Sequence, residues 1–187
     1  PVVFREVVAT NILGTYNGSI SALRHFLVCG EGKLINIMGR GDRRPVPMQN
    51  AYGSSKAWAR NFTIALSREY AESGVGIHLF SPGMMTTDLL TDVIAVSGYE
   101  GRLNAMDAVM RMWATPPEKP AAHLAWLASP ATDGRTGLDI HDFGRMQMLS
   151  GAIREGVRRL VRRPAERTDL HISLVPAALP LPQRRRR

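Results

Sequence analysis

Cysteine is nearly absent from this sequence: Cys29 is the only one in 187 residues. That excludes an internal disulfide and fits a reducing compartment. Histidine is scarce, and the five present are scattered without metal-ligand spacing, so no metal is expected. No apolar run approaches the ~20 residues of a membrane span. A signal peptide is missing too, and the chain opens with Pro1 rather than Met, which reads as a fragment. These absences lead to the expectation of a soluble, cytoplasmic protein.

What is present is an ordinary globular composition, 44% hydrophobic and 21% charged. The length suits one domain with a real core and is short for two. Charge is unevenly spread. From Arg145 onward, 11 arginines face three acids, Glu155, Glu166 and Asp169, and carry the whole formal charge of +8. The first 144 residues balance at 13 basic and 13 acidic. A neutral body with a basic tail is only weak evidence for a nucleic-acid binder, because recognition usually places basic residues across a folded face.

Residues 2 to about 28 read as one long helix. Val3, Val7, Ile12, Tyr16, Ile20, Leu23 and Leu27 recur at helical spacing, and Gly30 is placed to end it. "KLINIM" (33–38) and "VGIHLFSP" (75–82) are short apolar runs that read as buried strands. Between them, after the loop "GRGDRRPVPMQN", a second helix spans about 51–71. Its apolar face, Ala51, Ser55, Trp58, Phe62, Ala65 and Glu69, would bury against a sheet. A Met-rich stretch with short helices comes next, then a helix in "PEKPAAHLAWLASP" and a last short strand in "RTGLDIHDFG". Helix and strand alternate as in a parallel α/β sheet. Beyond residue 144 a basic helix is expected in "MLSGAIREGVRRLVRR", followed by a Pro-rich, Arg-terminated stretch that reads as disordered. The chain thus divides at 1–144 and 145–187.

In "MQNAYGSSKAW" a tyrosine and a lysine stand four positions apart, so Tyr52 and Lys56 share a helix face. Such a spacing also arises on any solvated helix. A free phenol, with a pKa near 10, exchanges protons poorly at neutral pH, and a neighbouring ammonium would lower that value. The pair could therefore form a tuned acid/base.

"YGSSK" after "INIM", "SPGMMTT" after the next strand and "TNILGTY" on the preceding helix together resemble the short-chain dehydrogenase/reductase family, over residues 2–144. The resemblance implies a Rossmann-like α/β fold and hydride transfer between NAD or NADP and a small carbonyl or alcohol substrate. It implies Tyr52 as the acid/base, Lys56 as its partner and ribose ligand, and Asn11 as holder of a relay water. It also implies Pro82, Gly83 and Thr87 beside the nicotinamide, and a structural role for Asn36. The two long helices, 2–28 and 51–71, correspond to the pair through which family members often form homodimers.

Two features depart from that pattern. Thirteen residues before Tyr52, where the family carries a catalytic serine, stands Gly39, and neither it nor Met38 offers a side-chain donor. Losing such a donor typically costs about 10²–10³ in rate, although Arg40, Arg43, Arg44, Gln49 or a backbone N–H could substitute. The alternative is a non-catalytic relative that dimerises or senses cofactor. Second, no G-x-G-x-x-G turn opens a helix, so the adenine- and phosphate-binding half is absent and the chain reads as the C-terminal portion of the family domain only. The sheet would then lack its N-terminal strands, fold marginally and bind nicotinamide cofactor poorly.

"RGD" at 40–42 copies an adhesion tripeptide but is explained by a turn in the active-site loop. Met84, Met85, Leu89, Leu90 and Val93 are either a substrate lid or ordinary core.

Overall fold

The computed structural model describes residues 2–98, 100–164 and 171–176. In chain order the elements are α1 (Val2–Val7), a π-wound segment (Val8–Gly14), α2 (Thr15–Cys29), β1 (Gly32–Ile37), α3 (Asn50–Glu69) and β2 (Val75–Ser81). They continue with α4 (Asp88–Thr91), β3 (Asp92–Val96), α5 (Met106–Trp113), α6 (Glu118–Ala128), β4 (Asp139–His141), α7 (Arg145–Leu160) and β5 (His171–Val175). They form two compact units, Pro1–Gly83 with Glu118–Phe143, and Met84–Pro117 with Gly144–Arg187.

The first unit is an α/β layer structure. Its first helical run holds right-handed backbone through Val7, Gly14 and Thr15 and stops at Gly30, whose φ of 75° is the left-handed C-cap that glycine adopts without a Cβ penalty. β1, β2 and β4 form a parallel sheet in the order β1-β2-β4, with Gly32 level with Val75 and Leu79 level with Asp139. β2 is central, and six successive residues from Val75 to Phe80 are buried, as an apolar run between two neighbours requires. Leu23, Leu34, Leu66, Val75 and Ile77 make one core cluster, and Met38, Ala59 and Leu79 another. Each of these side chains other than Ala59 contributes about 1.5–3 kcal/mol. Asn36 ties β1 to both flanking helices by donating to Ser19 Oγ (3.1 Å) and Thr63 Oγ1 (2.9 Å).

The buried face of α3 is not the one expected. Gly53, Ser55, Ala59, Thr63, Leu66 and Ser67 are buried, whereas Ala51, Trp58, Phe62 and Ala65 are half-buried and Glu69 is exposed. Small side chains let the helix approach the sheet closely. The large aromatic rings sit at its flank, where Trp58 and Phe62 stack with centroids 4.8 Å apart.

In the second unit β3 and β5 pair in parallel, Asp92 level with His171 and Val96 with Val175. This corrects two expectations. Residues 92–96, expected within an irregular stretch with short helices, are a strand, and the Pro-rich region expected to be disordered contributes its partner at 171–175. The terminal "RRRR" lies outside the described residues. Among the described residues, no helix is long and apolar enough to cross a membrane.

Candidate active site

The site lies at the carboxyl ends of β1 and β2, where open parallel sheets place their ligands. Helix α3 begins after a loop whose tightest point is a turn closed by the Asp42 N–H on the Gly39 carbonyl, 3.1 Å. Gly41 takes a φ of 100° there and packs on the backbone of Gly53, so a side chain at Gly41 would collide with the helix. That turn accounts for the "RGD" tripeptide. Its outcome is to press residues 39–42 against the first turn of α3.

Tyr52 and Lys56 converge on one point. A Cβ placed on Gly39 would lie 2.5 Å from the Tyr52 hydroxyl and 3.3 Å from Lys56 Cε. Lys56 Nζ stands 5.8 Å from the Tyr52 ring centre and donates to the Ile37 carbonyl at 3.1 Å, which anchors it to the end of β1. The space a serine side chain would fill at position 39 is therefore taken by the phenol itself.

Asn11 joins the same turn. Its amide donates to Ser55 Oγ (3.0 Å), and that hydroxyl donates to the Tyr52 carbonyl (2.7 Å). Asn11 sits within the π-wound segment, a winding that shifts backbone pairing by one residue and is frequent at functional sites. Pro82 is buried and Gly83 has a φ of 77°, with Phe143 behind it. They follow β2, whose Phe80 carbonyl accepts from the Met38 N–H next to Gly39 (2.8 Å). Thr87 belongs to the second unit, as do Met84, Met85, Leu90 and Val93. The Thr87 carbonyl accepts from the Leu90 N–H at 2.8 Å.

The electrostatics differ from the simple expectation of a lowered phenol pKa. Burial pushes the Tyr52 hydroxyl above its ordinary value, and the carboxylate of Asp42 pushes it the same way. Burial pushes Lys56 below its ordinary value, while Asp42 partly restores its charge. For both groups desolvation by burial is the larger cause and the Asp42 charge the smaller.

A network that sequence reading missed lies one turn farther along α3. Arg60 donates to Asp42 Oδ2 (3.2 Å) and pairs with Asp139 on β4. Arg43 and His141 complete it, His141 contacting Asp139 Oδ1 at 2.9 Å. Burial pushes the Asp139 carboxyl up, but the hydrogen bond and charge of Arg60, with His141 and Arg43, hold it below the usual carboxylate range. The network ties the 39–44 loop to α3 and β4. One signal for it exists in the sequence: positions 52, 56 and 60 repeat every fourth residue on one helix face.

A family model described as short chain dehydrogenase matches residues 1–96. The chain belongs to that family. The match corrects the expectation that the chain is a C-terminal portion of such a protein and nothing else: it falls on the N-terminal part, and residues 97–187 lie beyond it. This short chain dehydrogenase is 27% identical over 146 residues to glucose 1-dehydrogenase 2 of Bacillus subtilis, covering 78% of this chain and 55% of the relative. It is 30% identical over 149 residues to 3beta-hydroxysteroid dehydrogenase 1 of Eggerthella lenta, covering 79% and 56%. Among solved structures it resembles the 3-ketoacyl-(acyl-carrier-protein) reductase of Brucella melitensis complexed with NADH, at 26% identity and a TM-score of 0.60, covering 75% and 57%. The chain spans little more than half the length of each.

Proposed function

We propose that the whole protein is a cytoplasmic, NAD(P)-dependent oxidoreductase that interconverts a small-molecule carbonyl and its alcohol. The observation that carries this reading is the convergence of the Tyr52 hydroxyl and Lys56 on Gly39 at the end of β1, in a chain of this family. The named activities of the relatives, on glucose, a hydroxysteroid and a ketoacyl group, are consistent with a carbonyl or alcohol substrate and select none of the three.

The nicotinamide end of a cofactor fits the residues present. Lys56 would hold its ribose, and Pro82 and Gly83 would border its ring. The pyrophosphate end finds no G-x-G-x-x-G turn in this sequence. When bound, NAD(P) supplies or accepts the hydride at the substrate carbon. Tyr52 gives its proton to the carbonyl oxygen in reduction and takes it back in oxidation. A phenol held protonated by burial suits the donor role. Lys56 stabilises the phenolate left behind, and Asn11 links that turn to a relay water. With Gly39 in place of serine, Tyr52 alone would face the substrate oxygen, since its hydroxyl stands where the serine side chain would be.

A panel of carbonyl compounds assayed with NADH and NADPH tests this through the absorbance of the reduced nicotinamide. Tyr52→Phe should lower kcat by about 10²–10⁴ with little change in KM. Turnover that survives Tyr52→Phe would remove the assignment.

Gly39 favours a second reading, in which the protein binds cofactor or pairs with a copy without catalysing. Calorimetric binding of NAD(H) or NADP(H) with no turnover across the panel would select it.

A further inference from the structure

Helix α7 packs by one side and leaves the other bare. The packed side is small and polar. Gly151 lies directly against the backbone of Met112 on α5. Arg154 donates to the carbonyls of Arg111 (3.0 Å) and Met112 (3.1 Å) at the end of α5. Glu155 is buried and accepts from Arg158 (2.8 Å) and Arg159 (3.1 Å). On the far side Met146, Leu149, Ile153, Val157 and Leu160 fall within about 80° of one another at 100° per residue. All five are between 53% and 83% exposed.

Arginine borders this stripe. Arg159, 65% exposed, lies on one flank, and Arg162 and Arg163 are exposed past its C-terminal end, whereas the Arg154 guanidinium is held by the α5 carbonyls. Residues 145–163 hold six arginines against the single acid Glu155. The helix closes in a Schellman motif: the Arg163 N–H donates to the Arg158 carbonyl (3.1 Å) and the Arg162 N–H to that of Arg159 (3.2 Å). Arg162 thus takes the left-handed position, φ 52°, that glycine fills without strain.

We propose that α7 lies on the surface of an anionic phospholipid bilayer, its apolar stripe at the acyl boundary and its arginines at the headgroup phosphates. The combination selects this partner. Nucleic acid offers phosphates but no apolar surface for five large aliphatic side chains. A second copy of the stripe, related by a two-fold axis, would bring arginine borders of like charge together. A bilayer with acidic headgroups meets both the stripe and its borders. The five arginines and two acids of residues 164–187 add to the same attraction.

Flotation of the full chain tests the proposal with vesicles of phosphatidylcholine alone and of phosphatidylcholine with phosphatidylglycerol in equal parts. The chain should float with the mixed vesicles, stay behind with the neutral ones, and release as salt rises. Ile153→Glu combined with Val157→Glu should weaken mixed-vesicle binding about tenfold or more with helical circular dichroism unchanged. Arg162→Gly should weaken binding while raising the thermal midpoint, opposite signs that a folding defect does not produce. Equal binding to both vesicle types, or binding to neither, overturns the proposal. So does loss of self-association, rather than of vesicle binding, in the stripe double variant. Retention on duplex DNA that is indifferent to that variant and exceeds vesicle binding overturns it as well.

Discussion

Gly39, Tyr52, Lys56 and Asp42 form the smallest set on which the proposed chemistry would turn. Position 39 is more than a missing serine, because the Tyr52 hydroxyl lies 2.5 Å from where any Cβ there would stand. Gly39→Ala should therefore destabilise by about 1–3 kcal/mol through overpacking. In a Tyr52→Phe background most of that cost should vanish, giving a coupling of about 0.5–3 kcal/mol in a double-mutant cycle read by urea unfolding. Additive effects would mean that the phenol does not fill the space. Asp42 makes a second, electrostatic prediction. Its carboxylate disfavours the Tyr52 phenolate and favours the Lys56 cation. Asp42→Asn should thus lower both pKa values. The ultraviolet phenolate titration of the variant, taken as a difference from its Tyr52→Phe derivative, should move to lower pH. An unmoved or raised midpoint would contradict the assigned geometry.

Among the elements, β2 carries a hidden titration. His78 is fully buried on this strand, and neither ring nitrogen has a hydrogen-bond partner among the described residues. Burial, with the nearby charges of Lys33 and Arg135, lowers its pKa from 6.5 to about 4. The folded state thus keeps the ring neutral where the unfolded chain already binds a proton. Between those values the unfolded state holds more protons, so stability is full above pH 6.5 and falls as pH drops towards 4. The loss is at most about 3 kcal/mol. Urea unfolding at stepped pH should show that slope in the parent and lack it in His78→Leu; an equal slope in both would assign it elsewhere. The strand itself was legible, since "VGIHLF" is an unbroken run between turn residues. The long helix and its stop at Gly30 were legible too, as was the meeting of Tyr52 with Lys56, because each depends on local spacing. What was not legible depends on distant partners. β3 is a strand only because 171–175 pairs with it, and Asp42 meets Asp139 only through Arg60 across the sheet. The face of α3 was misjudged because hydrophobicity singled out Trp58 and Phe62, whereas close packing selected Ser55, Ala59 and Thr63.

At the scale of the whole molecule, two surfaces of the first unit invite association, and they predict different behaviour. One is the edge of β1, which lies outermost in the order β1-β2-β4 and so presents one row of backbone groups without a ladder partner among the described residues. The other is the group of exposed apolar side chains Val3, Phe4, Leu13 and Tyr16 on the first helical run, with Tyr16 against Phe62 at 5.7 Å. An apolar helix pair on one unit can meet its own copy about a two-fold axis as a four-helix layer, which closes at the dimer. Pairing of the β1 edge with the opposite β4 edge of another copy has no such limit. We therefore expect sedimentation velocity to show a discrete dimer that Leu13→Arg converts to monomer, with circular dichroism unchanged. If association instead survives Leu13→Arg and grows without a defined end state, the β1 edge is the contact and the helix-pair dimer is excluded.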